Sequence, residues 1–521
     1  MPERKARLCK LLLINLVIGF ICFLLLISHA LTSDYDGLWY ADAMYRSGSW
    51  ELSLGRFMIP VIDFLRMGYN GEPFQSLLTL FLLSAGNVLL LETFDAADGK
   101  YAVPVLTLLT VNTTVCIFLS YRYTAPAYGL SYLLSVLSVY LLVRFHGSRK
   151  RDVTGVGLSA LALTLCLGTY QAHLGCACLL MVCLCLKMTY RAETGLRDIL
   201  CFLAKCGISV IAACALYKII WDITLHVTDI TRPDYRGAGD LSVGKILRGV
   251  PYGIRQTFRF FRVHLFRTDN RYSMFQETPV HALILFSFTV LMAVTVYRAA
   301  KTDVLKGVCA ALSVVCLPVA ACVFCLLDIE TGFVSTQMTL PYAMMAPLLL
   351  LVFADVFSLL PAREKPVRCA KAACAVLCFL LLYGRIYQTG IDEYVMFEGT
   401  RTTRNLVQAA VTRVLDGGYY APDRKIMPVG VPAENPLFEQ SALFEQANGY
   451  ARFGAFWKGP YSYRRSYGGL FRSTGIAIPF PDLETYVALM ETEEVKSMPV
   501  YPDAGSILLL DDVIVVKFAN E

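Results

Sequence analysis

Charge is what this chain has least of. Only 17% of its 521 residues are Asp, Glu, Lys or Arg, against about 25% in an ordinary soluble domain. With 56% hydrophobic residues and a mean hydropathy of +0.54, the apolar excess is too large for one enlarged core. It is gathered instead in uncharged blocks of membrane-spanning length. A soluble globular protein and a disordered chain are both excluded.

Cysteine is missing where a secreted scaffold would need it. All 18 lie in the apolar blocks or their flanks, and none falls in 32–76, 221–279 or 389–521. That excludes a disulfide-stapled exterior. Cys176, Cys178, Cys183 and Cys185 share one apolar block without metal-site spacing, so they read as small packing residues and no structural zinc is expected. There is no solenoid repeat, no low-complexity tract and no matched pair of Gly/Pro-broken spans such as transporters carry.

What is present is a series of apolar blocks at 11–31, 77–91, 103–119, 125–143, 154–169, 171–186, 199–220, 280–297, 307–327, 338–358 and 372–388. About 20 residues of helix cross the hydrocarbon core, so these predict eleven spans. The stretch 154–186 is either one long tilted helix or two short ones turning at Gly168-Thr169-Tyr170-Gln171. Charge arbitrates. With the N-terminus inside and two spans here, 19 basic residues fall in short cytoplasmic segments, while loops 32–76, 120–124 and 328–337 carry 3, 1 and 0. One span would put Arg144–Arg151 and Lys187–Arg197 on opposite sides. Two spans fit better. Arg4–Lys10 and the block after it resemble a leader, but the block is too long for one and reads as a retained first helix.

The predicted fold is therefore an all-α polytopic membrane protein, with residues 1–388 forming the transmembrane part and 32–76 and 221–279 its outer loops. Residues 389–521 hold 12 basic and 17 acidic side chains and form an extracytoplasmic α+β domain. Its pattern predicts a helix over 392–416, a strand over 425–431, a helix over 481–496, and a hairpin of 507–510 with 513–518 around Asp511-Asp512.

Three places can carry chemistry. The first outer loop begins Ser33-Asp34-Tyr35-Asp36-Gly37, where two carboxylates meet a low-dielectric slab that can raise a pKa or hold a base beside a hydroxyl. The plainer alternative is a pair of solvated residues at a helix end. Gly168-Thr169-Tyr170-Gln171-Ala172-His173 puts polar groups amid an apolar block, where they must face protein or water; the alternative is a satisfied turn, and His173 alone is a poor catalyst. Loop 221–279 breaks the charge rule with nine basic residues. On a helical projection Leu247, Val250, Ile254, Phe258, Phe261 and Leu265 make one stripe and Arg248, Arg255, Arg259 and Arg262 another, as in an interfacial helix. Such arginines attract anionic lipid in general, or recognise a lipid-linked phosphate through bidentate geometry. Asp328 and Glu330 mark a short outer loop and read as solvated; Lys218 and Arg385 are cations near the outer surface.

Several stretches together resemble the bacterial and phage serotype-converting glucosyltransferases of O-antigen modification, polytopic enzymes of the GT-C fold. They are Asp34-Tyr35-Asp36, Gly55-Arg56-Phe57 and Leu167-Gly168-Thr169-Tyr170-Gln171-Ala172. To these are added the helix Glu393–Leu415 and Met498-Pro499-Val500-Tyr501-Pro502 ahead of Val513–Lys517. Phe57 stands where that family more usually has Trp.

The resemblance implies inverting transfer of a hexose, typically glucose, from a polyprenyl-phosphate donor to a lipid-linked or cell-surface glycan at the outer face of the bacterial cytoplasmic membrane. It implies Asp36, or Asp34, as general base. Arg255, Arg259 and Arg262, with Arg56, would meet the phosphate; Tyr170, Gln171 and His173 would line the sugar site. A monophosphate donor demands no divalent cation, although the two aspartates could hold one; no metal or other cofactor is expected to be required. Membrane lipid is a partner and nucleic acid is not. A polyprenyl-phosphate sugar synthase and a small flippase are the implied functional partners. A transporter or flippase of lipid-linked sugars and a surface-glycan polymerase or ligase are the alternatives; the missing pseudo-repeat weighs against the transporter.

Overall fold

The computed structural model describes residues 2–40, 44–233, 244, 250–255, 257–258, 278–323, 336–359, 365–453 and 456–520. It is mostly helical. Eight of the described helices are long and apolar enough to cross a membrane, or nine if the bent pair Ala102–Thr110 and Thr113–Ser120 is one span. The predicted count of eleven is not reached, although a helix stands in each block.

Two helices fall short for the same reason. Pro2–Cys22 starts with Arg4, Lys5, Arg7 and Lys10, and Arg149–Leu167 starts with Arg149-Lys150-Arg151-Asp152. Their uncharged parts are shorter than a full crossing. The stretch 154–186 is two helices, Arg149–Leu167 and Leu174–Thr189, parted by a short 3-10 turn at Gln171–His173. The last residues of the block 307–327, together with Asp328 and Glu330, lie outside the described residues.

The bent pair turns by 48° at Val111-Asn112. A break inside an apolar bundle frees backbone carbonyls and amides that need partners. Arg385, 2% exposed, donates to the carbonyls of Leu108 and Ala343. The Asn112 side chain accepts from the amides of Thr114 and Val115 at 3.1 Å each. Arg385, read from the sequence as a cation near the outer surface, is thus committed to this break, which leads into the loop Ser120–Tyr123.

The block at 372–388 and the predicted helix at 392–416 are one element, Lys365–Asp416, of 52 residues. At 1.5 Å per residue it is about 78 Å long, more than twice the hydrocarbon thickness, so a large part must project beyond it. A glycine inside a helix costs about 1 kcal/mol but does not stop it, and Gly390 and Gly399 pass through unbroken. The helix is pinned at its waist. Asp392 accepts from Gln388 (2.8 Å), Tyr450 (2.8 Å) and the Asn448 side chain (2.6 Å), and Glu393 accepts from the Leu26 amide at 3.1 Å.

Beyond it lies a three-stranded sheet in the order β1-β3-β2, with β1 Lys425–Val429, β2 Ile507–Leu510 and β3 Val513–Lys517. β1 runs parallel to β3, Lys425 opposite Val513, and β2 closes the predicted hairpin antiparallel to β3, Leu510 opposite Val513. The predicted helix at 481–496 is two, Leu483–Met490 and Glu493–Ser497, the second started by Thr492, whose hydroxyl accepts from the Val495 amide. A further helix, Pro460–Thr474, had no counterpart in the sequence reading. This unit has its own core, including Val407, Val414, Ile426, Tyr467 and Val515, and that core takes in Leu38 of the first loop. The first loop and the C-terminal unit are therefore packed as one. No disulfide joins the described cysteines.

Candidate active site

Beyond Leu31 the chain leaves the bundle and forms a five-residue helix, Tyr35–Trp39, with Asp34 at its N-cap position in extended conformation. The floor is the loop after the bent pair. Ser33 and Ser120 hydroxyls meet at 2.6 Å, Tyr121 faces the Asp34 carboxyl, and the Tyr123 ring packs on Tyr40 and Tyr45 at 4.9 and 5.1 Å.

The roof comes from far along the chain, with Arg465 standing 429 residues after Asp36. Helix Pro460–Thr474 lies against Leu38–Trp39 so closely that a Cβ at Gly469 would stand 2.2 Å from the Leu38 carbonyl oxygen. That approach brings Arg465 onto Asp36 as an ion pair. The guanidinium also lies over the rings of Tyr461 (4.4 Å), Tyr40 (5.7 Å) and Trp39 (5.8 Å). The Tyr35 ring meets Tyr461 and Trp457 edge-on at 5.9 and 6.4 Å. Trp457 and Tyr461 remain 43% and 45% exposed, so the carboxylates sit beside an open aromatic wall.

This setting raises both acids. Burial, then the neighbouring Asp36 charge, pushes Asp34 up to about 7, against the Tyr121 hydroxyl and the local amides, which favour its charged form. Burial also raises Asp36, and the charge and hydrogen bond of Arg465 oppose the rise. Asp34 is 5% exposed, whereas the Asp36 side chain keeps 24% of its surface. Asp36 is the more exposed of the two.

The second predicted cluster comes together from both its parts. Gly55, at φ +76°, makes a turn whose inner side is filled by Tyr217 and Trp221, a conformation that favours glycine. The turn delivers the Met58 amide to the Gly168 carbonyl at 2.9 Å. Gln171 donates to the Leu54 carbonyl (2.7 Å) and the Tyr217 hydroxyl (2.9 Å), and Arg56 lies 5.5 Å over the Tyr170 ring. Tyr170 is 6% exposed and His173 fully buried, packed on Tyr170 at 5.1 Å and Phe118 at 5.6 Å. The amide of Gln171 is thus occupied by protein. Tyr128 links the clusters, within electrostatic reach of Arg56 and of Asp34 and Asp36.

The third cluster is only partly described. Arg255 lies in a helical stretch and is exposed; Arg259 and Arg262 lie outside the described residues, as do Leu247, Arg248, Phe261 and Leu265 of the two stripes. Arg232 pairs with Asp222 at 2.7 Å and stacks 4.2 Å over Trp221, and Lys218 also pairs with Asp222. Among the described residues no three His, Cys, Asp or Glu side chains gather as metal ligands do.

Sequence reasoning missed Arg465, Tyr461 and Trp457, and gave Tyr121 and Arg122 no role beyond a loop count. The segment 460–474 reads as a polar, glycine-containing stretch, and nothing local says that it docks on Asp36.

A family model described as Glucosyl transferase GtrII matches residues 36–353. The match starts at Asp36 and includes the turn at 168–171. No curated protein and no solved structure matches the chain.

Proposed function

The chain belongs to the GtrII glucosyl transferase family, and from that premise we propose a reaction. In it, glucose moves from a polyprenyl-phosphate donor to a cell-surface or lipid-linked glycan, at the outer face of a bacterial cytoplasmic membrane, with the N-terminus inside. The observation that carries the reading is the pair Asp34 and Asp36, raised in pKa and set beside an open aromatic wall.

Asp36 takes the proton of the acceptor hydroxyl as its oxygen attacks the anomeric carbon. The bond from that carbon to the phosphate oxygen breaks with inversion, and the polyprenyl phosphate leaves with the electron pair. A carboxylate with raised proton affinity is a stronger base than a free one, and general-base help is worth about 10²–10⁴ in rate. Arg465 is a positioning residue: it keeps Asp36 charged and aimed. Trp457 and Tyr461 offer rings to the apolar faces of sugars. Arg255, Arg259 and Arg262 draw the anionic headgroup from the bilayer, and Arg56 with Tyr170, Gln171 and His173 shapes the neighbouring wall. No step requires a divalent cation, since a monophosphate leaving group can be met by guanidinium alone.

The test is Asp36→Asn in cells that display the modified glycan. Hexose addition is expected to be lost while the protein stays in the membrane. Unchanged hexosylation by both Asp36→Asn and Asp34→Asn would end this assignment.

A further inference from the structure

Three arginines among the described residues are buried: Arg66, Arg122 and Arg385. Arg66 donates to Asp63 at 2.6 Å and to Gln75 at 3.1 Å, and Arg385 is taken up by two carbonyls. Arg122 differs. An unpartnered buried Nε is common to all three, but Arg122, 8% exposed, makes no hydrogen bond or ion pair through the rest of its guanidinium either. The Nε of Arg404, on the long helix, is likewise buried and unpartnered.

Both line one cavity of about 140 Å³, together with Thr32, Leu38, Thr403 and Arg452. Arg452 is held elsewhere, by the Ala447 carbonyl at 3.0 Å and by Glu445 at 3.3 Å. Burial lowers the Arg122 pKa and the like charge of Arg404 lowers it further, while Glu72 opposes the shift without cancelling it. Glu72 forms no ion pair with it; one carboxylate oxygen accepts from the Ser76 amide at 3.2 Å and the other is buried without a partner. Two guanidinium groups that repel each other, one of them nine-tenths buried, face a space larger than several waters, which need about 30 Å³ each. Burying a charge in this way is costly unless a counter-charge completes the site.

Position narrows the choice of anion. Thr32 and Leu38 flank Asp34–Asp36, so one short segment faces the carboxylates and the cavity together. Tyr121 and Tyr123, on either side of Arg122, are the floor of the same segment. Ala30, which follows the first helical stretch, lies at the cavity's edge, and Phe438, Phe456 and Leu470 add apolar wall. We propose that Arg122 and Arg404 form the seat of the donor phosphate, a phosphate monoester on a lipid tail, held by two guanidinium forks next to the reacting hydroxyl. This rests on the glucosyl-transfer reading above and adds to it where the phosphate is held. The loop arginines then recruit the headgroup, and Arg122 with Arg404 receives it.

The test uses full-length protein in detergent, with Tm read against undecaprenyl phosphate, undecaprenol and inorganic phosphate. Undecaprenyl phosphate is expected to raise Tm and undecaprenol to leave it unchanged. Arg404→Gln and Arg122→Met should each shift the half-maximal undecaprenyl phosphate concentration upward by about tenfold or more, the range of a lost charge-assisted hydrogen bond. Arg122→Met should leave the unliganded Tm unchanged or raised, because it removes an unpaired buried charge.

Wild-type half-maximal concentrations in both variants would overturn the site, as would equal stabilisation by undecaprenol. Inorganic phosphate saturating at the same concentration as the lipid would make it a free-anion site and overturn the lipid assignment. The two readings separate cleanly. Asp36→Asn inactive with phosphate binding intact in both arginine variants sinks this site and leaves the transferase reading. Asp36→Asn active with both arginine variants defective does the reverse.

Discussion

Gly469→Ala tests whether the distant helix Pro460–Thr474 makes the site. An added Cβ would lie 2.2 Å from the Leu38 carbonyl oxygen, 2.3 Å from its carbon and 2.8 Å from the Trp39 nitrogen. All three are backbone atoms, so no rotamer change relieves the contact. The helices must part by about 1 Å to restore van der Waals distance, at about 1–3 kcal/mol for overpacking. Arg465 lies four residues earlier, on the same helix face, and moves with it. A displacement of about 1 Å at a catalytic group is worth roughly 100-fold in rate.

We expect glucosyl transfer from polyprenyl-phosphate glucose in washed membranes to fall by about that factor, with the protein still inserted. Gly468→Ala is the control. Its Cβ would meet only side-chain atoms, two ring carbons of Trp39 at 3.1 and 3.6 Å and the Arg472 guanidinium at 3.9 Å, and side chains can yield, so activity should stay within about twofold of wild type. Arg465→Gln should cost little more in the Gly469→Ala background, since the two changes remove one contact. Full activity of Gly469→Ala, or equal losses from both glycine variants, would refute this account of the docked helix.

Other expectations concern charge and topology. Asp34 has its proton affinity raised on folding, from 3.8 to about 7. Its contribution to stability is therefore complete below about pH 4 and is lost as pH rises towards 7. Asp34→Asn removes that slope, so its stability advantage should grow over this window to a ceiling of about 4 kcal/mol; parallel pH profiles of heat-denaturation midpoints for the two proteins would contradict it. Arg259→Ala should raise the KM for the lipid donor, and an unchanged KM would reduce that loop to a general membrane contact. With the native cysteines replaced, Gly399→Cys should react with an impermeant maleimide from outside and Gly195→Cys should not; the opposite pattern would invert the topology.

Much of the fold was legible because burial in lipid is a local property. Every apolar block is helical, in one piece or two, and the polar turn at 168–171 separates two of them, since polar backbone there needs partners. The hairpin around Asp511-Asp512 was equally readable from alternation and a turn. Helix 365–416 was not read as one element, because its apolar and polar halves look like a span and a separate domain. Helix 460–474 was missed because Tyr, Ser, Arg and two glycines give it little local preference for helix. It is held by packing Tyr463, Tyr467, Leu470 and Phe471 into the C-terminal core.

By itself the sequence determined that this is a membrane protein of many helices, which of its loops carry carboxylates and arginines, and which family it resembles. Hydrophobic length and short motifs are written in neighbouring residues. Only the tertiary structure decided that Arg465 meets Asp36, that Gln171 latches onto the first loop, and that Arg122 and Arg404 face one cavity. Those pairs are 429, 117 and 282 residues apart, and no local propensity connects them. Their meeting depends on how whole helices pack, and at Gly469 on a side chain that is absent.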